Sequence, residues 1–324
     1  MRNRQFGATD LRVSSLGLGC NNFGVRLDLA AARSIVHAGL DAGITVFDTA
    51  DIYGKRGGSE SILGEVLGSR RKDVVLVTKF GLAMDEEGQL KGGSAHYIAT
   101  AIEASLKRLK TDWIDLYYLH RPDPATPIEE TLRTLDALIA QGKVRYIGCS
   151  NMSAAQIGEA QRVSQANGLN RFVVCQNQYN LLSRQIEADI TPAIEAHHLA
   201  LVPYFPLASG MLTGKYTRGA PIPAGTRMSY KRYSDRFLND ENFRIIDRLR
   251  EFCAKHGRTL SELAFGWLLS KPIVGCVIAG ASAPEQIHQN AAAISWRLDA
   301  AEMAEVDRLT NKQGELSGSQ VTPA

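Results

Sequence analysis

Short apolar, β-branched runs recur along the chain at a nearly even pitch. They lie near Leu16 (SSLGLG), Thr45 (ITVFD), Val74 (VVLVTK), Asp115 (IDLYYLH), Val144 (VRYIGCSN), Phe172 (FVVCQNQ), Leu199 (LALVPYF) and Gly275 (GCVIAG). Successive anchors stand 27 to 41 residues apart, and the last gap is 76. One strand, one helix and two loops need about 30 residues. The intervening segments carry helical periodicity instead. Leu29–Ala42 puts Ala32, Ile35, Val36 and Leu40 on one stripe. Ser59–Ser69 opens at an N-cap serine with Ile62, Leu63, Val66 and Leu67 inward, and Ala99–Leu109 repeats the arrangement. Pro127 suits the first turn of a helix whose stripe is Ile128, Leu132, Leu135, Leu138 and Ile139. Ser153–Asn167, Gln185–His197, Leu260–Ser270 and Pro284–Ala292 read as four more helices.

Runs apolar on both faces, alternating with amphipathic helices, predict a parallel sheet with helices outside. Eight such units predict an α/β chain closed into a (β/α)8 TIM barrel rather than an open doubly wound sheet. An open sheet would use fewer strands, and no G-x-G-x-x-G follows any of these runs. Two segments fall outside the repeat. Arg4–Ser14 reads as an N-terminal β-hairpin about Gly7-Ala8-Thr9-Asp10, placed to plug the bottom of the barrel. Phe205–Asn239 reads as a long loop after strand seven, followed by an extra helix near Glu241–Lys255. Residues 1–310 are expected to form a single barrel domain and 311–324 a polar, flexible tail.

Composition narrows the partners. Thirty-seven basic against 34 acidic residues leave a dispersed net charge of +3, which directs the chain neither to nucleic acid nor to an anionic membrane. No apolar run approaches a membrane span, and the start of the chain lacks the apolar core of a secretory signal. Five cysteines without C-x-x-C spacing argue against a zinc cluster or disulfide framework, and for a reducing, cytoplasmic setting.

Catalytic groups of such barrels sit where strands end. Strand two ends in Asp48, strand three in Lys79, strand four in His120, strand five in Ser150-Asn151, strand six in Gln176 and strand seven in Tyr204. Asp48, Lys79 and His120 close three consecutive strands, and Tyr53 follows Asp48 in DTADIYG. A free tyrosine is a poor acid near neutrality. An adjacent ammonium would lower its pKa, a carboxylate would hold that ammonium, and a neutral histidine could orient a substrate oxygen. This set can protonate an oxygen that gains charge during a reaction, and it holds no metal. Taken singly, the four also have structural uses: helix cap, solvated lysine, packing tyrosine, core histidine. Asn22 and Phe23, after strand one, are candidates for the substrate pocket, though Phe23 could equally be core.

From Arg4 to about residue 310 the chain resembles the aldo-keto reductase superfamily. The matching stretches include LGLGCNNFG, GITVFDTADIYG, TDWIDLYYLHRPD, GKVRYIGCSN, VVCQNQYNLL, VPYFPLASGMLTGKY and VIAGASAPEQIHQN, in order and correctly spaced. The resemblance implies that Tyr53 is the general acid, Lys79 depresses its pKa, Asp48 pairs with Lys79, and His120 orients a carbonyl. It assigns Ser150, Asn151 and Gln176 to the nicotinamide carboxamide, and Tyr204 to stacking on the nicotinamide ring. Phe205, Pro206, Leu207, Ala208, Ser209, Gly210 and Lys215 would lie along the pyrophosphate. Gly280, Ser282, Gln286 and Asn290 would meet the 2′-phosphate end of the cofactor.

One departure stands out: many relatives place Arg or Lys around Gly280–Gln286, and this chain has none between Lys271 and Arg297. Arg227, or more weakly Lys215, could supply that charge. The resemblance thus implies an NADPH-dependent oxidoreductase (NADH not excluded) that reduces a small aldehyde or ketone. A cofactor-binding redox sensor of the potassium-channel β-subunit type is an alternative. A Schiff-base barrel enzyme acting through Lys79 is another. Nothing in the sequence sets an oligomeric state.

Overall fold

A computed structural model describes residues 1–311; the expected tail at 311–324 lies, beyond Asn311, outside the described residues. Two short strands, β1 (Asn3–Gln5) and β2 (Arg12–Ser14), form an antiparallel hairpin with Asn3 opposite Ser14. Eight parallel strands follow: β3 (Leu16–Gly19), β4 (Val46–Asp48), β5 (Val75–Phe80), β6 (Ile114–Leu119), β7 (Val144–Ser150), β8 (Val174–Gln178), β9 (Ala200–Tyr204) and β10 (Val277–Gly280). They pair in chain order, and β10 closes on β3. The predicted (β/α)8 TIM barrel with its N-terminal hairpin is the fold observed.

The helices are α1 (Leu29–Asp41), α2 (Tyr53–Leu67), α3 (Ala95–Leu109), α4 (Ile128–Ala140), α5 (Ala154–Asn167), α6 (Ile190–Ala196), α7 (Lys231–Phe237), α8 (Asp240–Lys255), α9 (Leu260–Ser270), α10 (Pro284–Ala293) and α11 (Ala300–Thr310). Local chemistry sets many of their starts. Ser94 caps α3 by accepting from the Tyr97 N–H, and reciprocal capping boxes open α5 (Ser153 with Gln156), α9 (Thr259 with Glu262) and α11 (Asp299 with Glu302). Two expectations need correction, and a third holds in altered form. Gln185–His197 is one 3₁₀ turn (Gln185–Glu187) followed by the short α6. The helix expected at Ser59–Ser69 is the regular part of α2, which resumes after a left-handed run over Gly54–Gly57. The long segment after β9 contains α7 and two 3₁₀ turns, Ala208–Thr213 and Arg227–Ser229.

Two apolar cores result. Between strands and helices lies the larger one, built from residues such as Leu18, Phe47, Leu76, Tyr117 and Ile147. The smaller fills the barrel: Val46, Val75, Val77, Leu116, Tyr118, Val174, Val202 and Ile278, closed from below by Phe6, Leu11 and Val13 of the hairpin. Every inward residue is followed two positions on by another, because strand side chains alternate. Large and small residues interleave inside: a Cβ at Gly148 would meet Tyr118 Cε1 at 2.3 Å.

Helix packing shows the same economy at Gly64, where a Cβ would meet Arg108 O at 2.4 Å and the Leu109 carbonyl carbon at 2.7 Å. Both neighbours are backbone and cannot swing aside. Gly64→Ala is therefore expected to cost about 2–3 kcal/mol by forcing α2 away from α3. Urea unfolding measures this, and an unchanged midpoint would show that the two helices can separate freely.

Candidate active site

Continuing the inward alternation by one step carries each strand to its upper end. Above Val46 comes Asp48, above Val77 Lys79, above Tyr118 His120, above Gly148 Ser150, above Val174 Gln176, above Val202 Tyr204 and above Ile278 Gly280. The candidate residues are thus the top layer of the barrel interior, where apolar filling gives way to polar groups.

That layer floors a cleft of about 720 Å³. Asn22, Asp48, Tyr53, His120, Ser150, Asn151, Gln176 and Tyr204 line it, as do Phe205, Pro206, Leu207, Ser209, Gly210, Lys215 and Arg227 of the segment after β9. Gly280, Ser282, Gln286 and Asn290 complete its far wall. Three candidates stand elsewhere, one of them Ala208, which is buried in the outer core. Phe23 is 0% exposed and packed in the outer core, which corrects its assignment to the substrate pocket. Lys79 is also fully buried and lies behind the floor rather than on it. Sequence reasoning passed over Cys20, Arg26, Leu82, Arg121, Ser261 and Gln289, which share the lining. Cys20 and Arg121 were within reach of it, since each directly follows a strand or a residue already chosen.

The floor is tightly bonded. Lys79 Nζ donates to Asp48 Oδ1 at 2.6 Å and to Thr49 O at 2.7 Å. Gln176 Nε2 donates to the other Asp48 oxygen at 2.8 Å. Lys79 Nζ lies 5.2 Å from the centre of the Tyr53 ring, whose edge-on neighbour at 5.6 Å is His120. A buried lysine bonded in this way is not presented to the cleft as a Schiff-base nucleophile, so that alternative loses its support. Burial pushes the Tyr53 phenol well above its ordinary pKa, and the Asp48 carboxylate adds to the rise. The expected depression by Lys79 is not seen, because burial, reinforced by the Asp48 carboxylate, dominates. Burial, then the charges of Lys79 and Arg121, hold His120 well below the usual histidine value. Both groups are therefore neutral around pH 7. The phenol keeps its proton to give, and the imidazole can donate one N–H without carrying charge. Buried His120 Nδ1 has no partner among the described residues.

The upper walls carry strain where a ligand would lie. Of the eight non-glycine residues with positive φ among the described residues, Asn151, Phe205 and Ser209 line the cleft, and Lys55 and Arg56 follow Tyr53. Side chains hold these turns: Tyr204 Oη donates to Asn151 Oδ1 at 2.8 Å, and Asn180 Nδ2 to Phe205 O at 2.9 Å. The Ser209 hydroxyl is buried without a partner among the described residues. Gly280 leaves open space, since a Cβ there would meet nothing nearer than 3.5 Å. Arg227 stacks over Phe205 at 5.1 Å and Tyr233 at 5.8 Å, and no carboxylate among the described residues pairs with it. An orphaned hydroxyl, an open glycine ledge and a half-buried guanidinium without a counter-ion together fit an elongated anionic ligand such as a dinucleotide.

Known proteins are similar to this chain in sequence. The model of the Aldo/keto reductase family matches residues 15–311. A "Probable voltage-gated potassium channel subunit beta" of Oryza sativa subsp. japonica is 39% identical over 302 residues, 91% of each chain. The "Uncharacterized oxidoreductase YrpG" of Bacillus subtilis (strain 168) is 35% identical over 309 residues, covering 92% of this chain and 93% of its own. A "Putative voltage-gated potassium channel subunit beta" of Schizosaccharomyces pombe (strain 972 / ATCC 24843) is 35% identical over 325 residues, covering 95% of this chain and 93% of its own. With a closed parallel barrel and a family match that spans it from the first strand to the last helix, the chain belongs to the aldo/keto reductase family of NAD(P)H-dependent oxidoreductases.

Proposed function

We propose that the protein is an NADPH-dependent carbonyl reductase for small aldehydes or ketones, with Tyr53 as the proton donor. The observation that carries this reading is a neutral phenol beside a neutral imidazole, above the buried Lys79–Asp48 pair. When bound, the nicotinamide supplies the hydride. His120 holds the carbonyl oxygen by donating an N–H, and Tyr53 releases its proton to that oxygen as negative charge develops there. Lys79 contributes positive charge behind the ring, and Asp48 fixes its place. Ser150 offers a hydroxyl proton and Gln176 an amide oxygen to the carboxamide, while Tyr204 provides the stacking face. Ser209, Gly210 and Lys215 suit the pyrophosphate. Gly280, Ser282, Gln286 and Asn290 suit the adenosine end, where Gln286 Oε1 now accepts from the Ser282 N–H at 2.8 Å.

No lysine or arginine stands at 280–290, so the 2′-phosphate charge falls to Arg227. Arg227→Ala is expected to raise the NADPH Kd about 10–100-fold while leaving NADH within about twofold. Fluorescence titration with both cofactors reads this directly. An equal loss for both would move Arg227 to the pyrophosphate.

A second reading has its own support, because relatives at 35–39% identity bear the name of a channel subunit. It makes the protein a cofactor-bound sensor with little turnover. Parallel titration with NADPH and NADH, followed by steady-state rates on a panel of aldehydes, decides between them. Tight binding with negligible turnover would overturn the reductase. The five cysteines, all free and buried, favour a reducing compartment such as the cytoplasm. No helix among the described residues is long and apolar enough to cross a membrane.

A further inference from the structure

Beneath the cleft floor lies a second group of charges that the reduction scheme does not use. Asp51 is 1% exposed and Glu60 0%, and among the described residues the two carboxylates share one cation, Arg108. Glu60 takes it: Arg108 Nε donates to Glu60 Oε2 at 2.6 Å, and Thr78 Oγ1 donates to Glu60 Oε1 at 2.6 Å. Asp51 is left with the Tyr97 hydroxyl, 3.1 Å from its Oδ2, and the Ile52 backbone N–H. Its Oδ1 has no partner among the described residues, and neither does the hydroxyl of Tyr117 on β6. Facing Asp51 are therefore Glu60 from α2, Tyr97 and Arg108 from α3, and Tyr117 from β6; Lys79 is turned away to Asp48. A buried carboxyl left without a cation retains a proton rather than a charge.

The same residues brace the turn that carries Tyr53. The Asp51 N–H donates to Lys79 O at 3.0 Å, and the Tyr53 N–H to Ala50 O at 3.1 Å. Beyond Tyr53, four residues run left-handed, with φ of 74°, 60°, 67° and 111° from Gly54 to Gly57. Arg108 packs under that run so closely that a Cβ at Gly57 would meet its Cδ at 2.6 Å.

We propose that Asp51 is a positioning residue for the proton donor, holding a proton beneath the Tyr53 turn and so setting how readily Tyr53 releases its own. This rests on Tyr53 being the donor. Burial, with Glu60 next, pushes the Asp51 carboxyl up to about 7, and a charge on Asp51 raises the Tyr53 phenol further. As pH climbs through 7, Asp51 ionises, Tyr53 becomes a weaker acid, and reduction slows. No group leaves or enters the site other than that proton.

The test uses the full chain with saturating NADPH and aldehyde. Wild-type kcat is expected to fall roughly fivefold between pH 6 and 8.5, with the step near pH 7. Asp51→Asn, which retains the acceptor for Tyr97, is expected to hold the low-pH rate throughout. Glu60→Gln frees Arg108 for Asp51 and should move the step down by more than one pH unit, a result that decides the matter even if Asp51→Asn does not fold. Infrared difference spectra give a readout independent of turnover: a protonated-carboxyl band that titrates with the same midpoint and is missing in Asp51→Asn. Parallel pH profiles and an unchanged band would overturn the role of Asp51. A band that titrates as expected, with Tyr53→Phe still active, would instead overturn Tyr53 as the donor, and the proposal with it.

Discussion

Tyr53→Phe is expected to lower kcat for aldehyde reduction about 10²–10⁴-fold, or roughly 3–5 kcal/mol of barrier, while NADPH binding stays within about twofold. The substitution keeps the ring that packs edge-on against His120 and under the reach of Lys79. It removes only the hydroxyl, so the fold and the cofactor walls are undisturbed. No neighbour is equipped to replace that proton. His120 is held neutral far below its usual titration range, and Lys79 is committed to Asp48 and Thr49. Cys20 also lines the floor, but burial and Asp48 push its thiol well up, and it is too weak an acid to serve. Single-turnover reduction with the cofactor prebound separates the chemical step from binding and release. A variant that retains more than about a tenth of the wild-type rate would show that the proton comes from elsewhere.

Much of this site is legible in the sequence because a barrel strand is a simple object. Alternation fixes which side chains point inward, and the strand's end fixes which of them meets the cleft. Asp48, His120, Ser150, Gln176 and Tyr204 follow from those two facts alone. Phe23 marks the limit of the same logic. It lies four residues beyond Gly19, the last residue of β3, in a turn where alternation has ceased, and the chain folds it into the outer core. The loop cations show the opposite failure. Arg26 and Arg227 reach the cleft through tertiary contacts, Arg26 to Gly225 O and Arg227 across the rings of Phe205 and Tyr233. No periodicity announces such contacts. The left-handed run after Tyr53 was equally hidden, since Lys55 and Arg56 carry no preference for it and are held there by the close approach of Gly54 to the Ser59 backbone. The helix α7 escaped notice because its seven residues, KRYSDRF, bury only Phe237.

Asp48→Asn is expected to destabilise the protein by about 3–5 kcal/mol at pH 7, the largest stability effect this site should show from a single neutral replacement. Lys79 has 0% exposed side chain, and Asp48 is its only anionic partner among the described residues. The asparagine still offers an oxygen to Nζ, so what disappears is charge compensation rather than volume or hydrogen bonding. An ammonium left uncompensated inside the barrel keeps its full desolvation cost, a loss measurable as the drop in the urea midpoint at pH 7. Lys79→Met in the same chain removes the stranded charge. The double variant should therefore lose less than the two singles combined, with a coupling of at least about 2 kcal/mol. Additive losses would mean that the pair is not electrostatically linked. In that case Asp48 would serve Tyr53 only through its bond to Gln176 and its own field, and the role of Lys79 behind the ring would have to be abandoned.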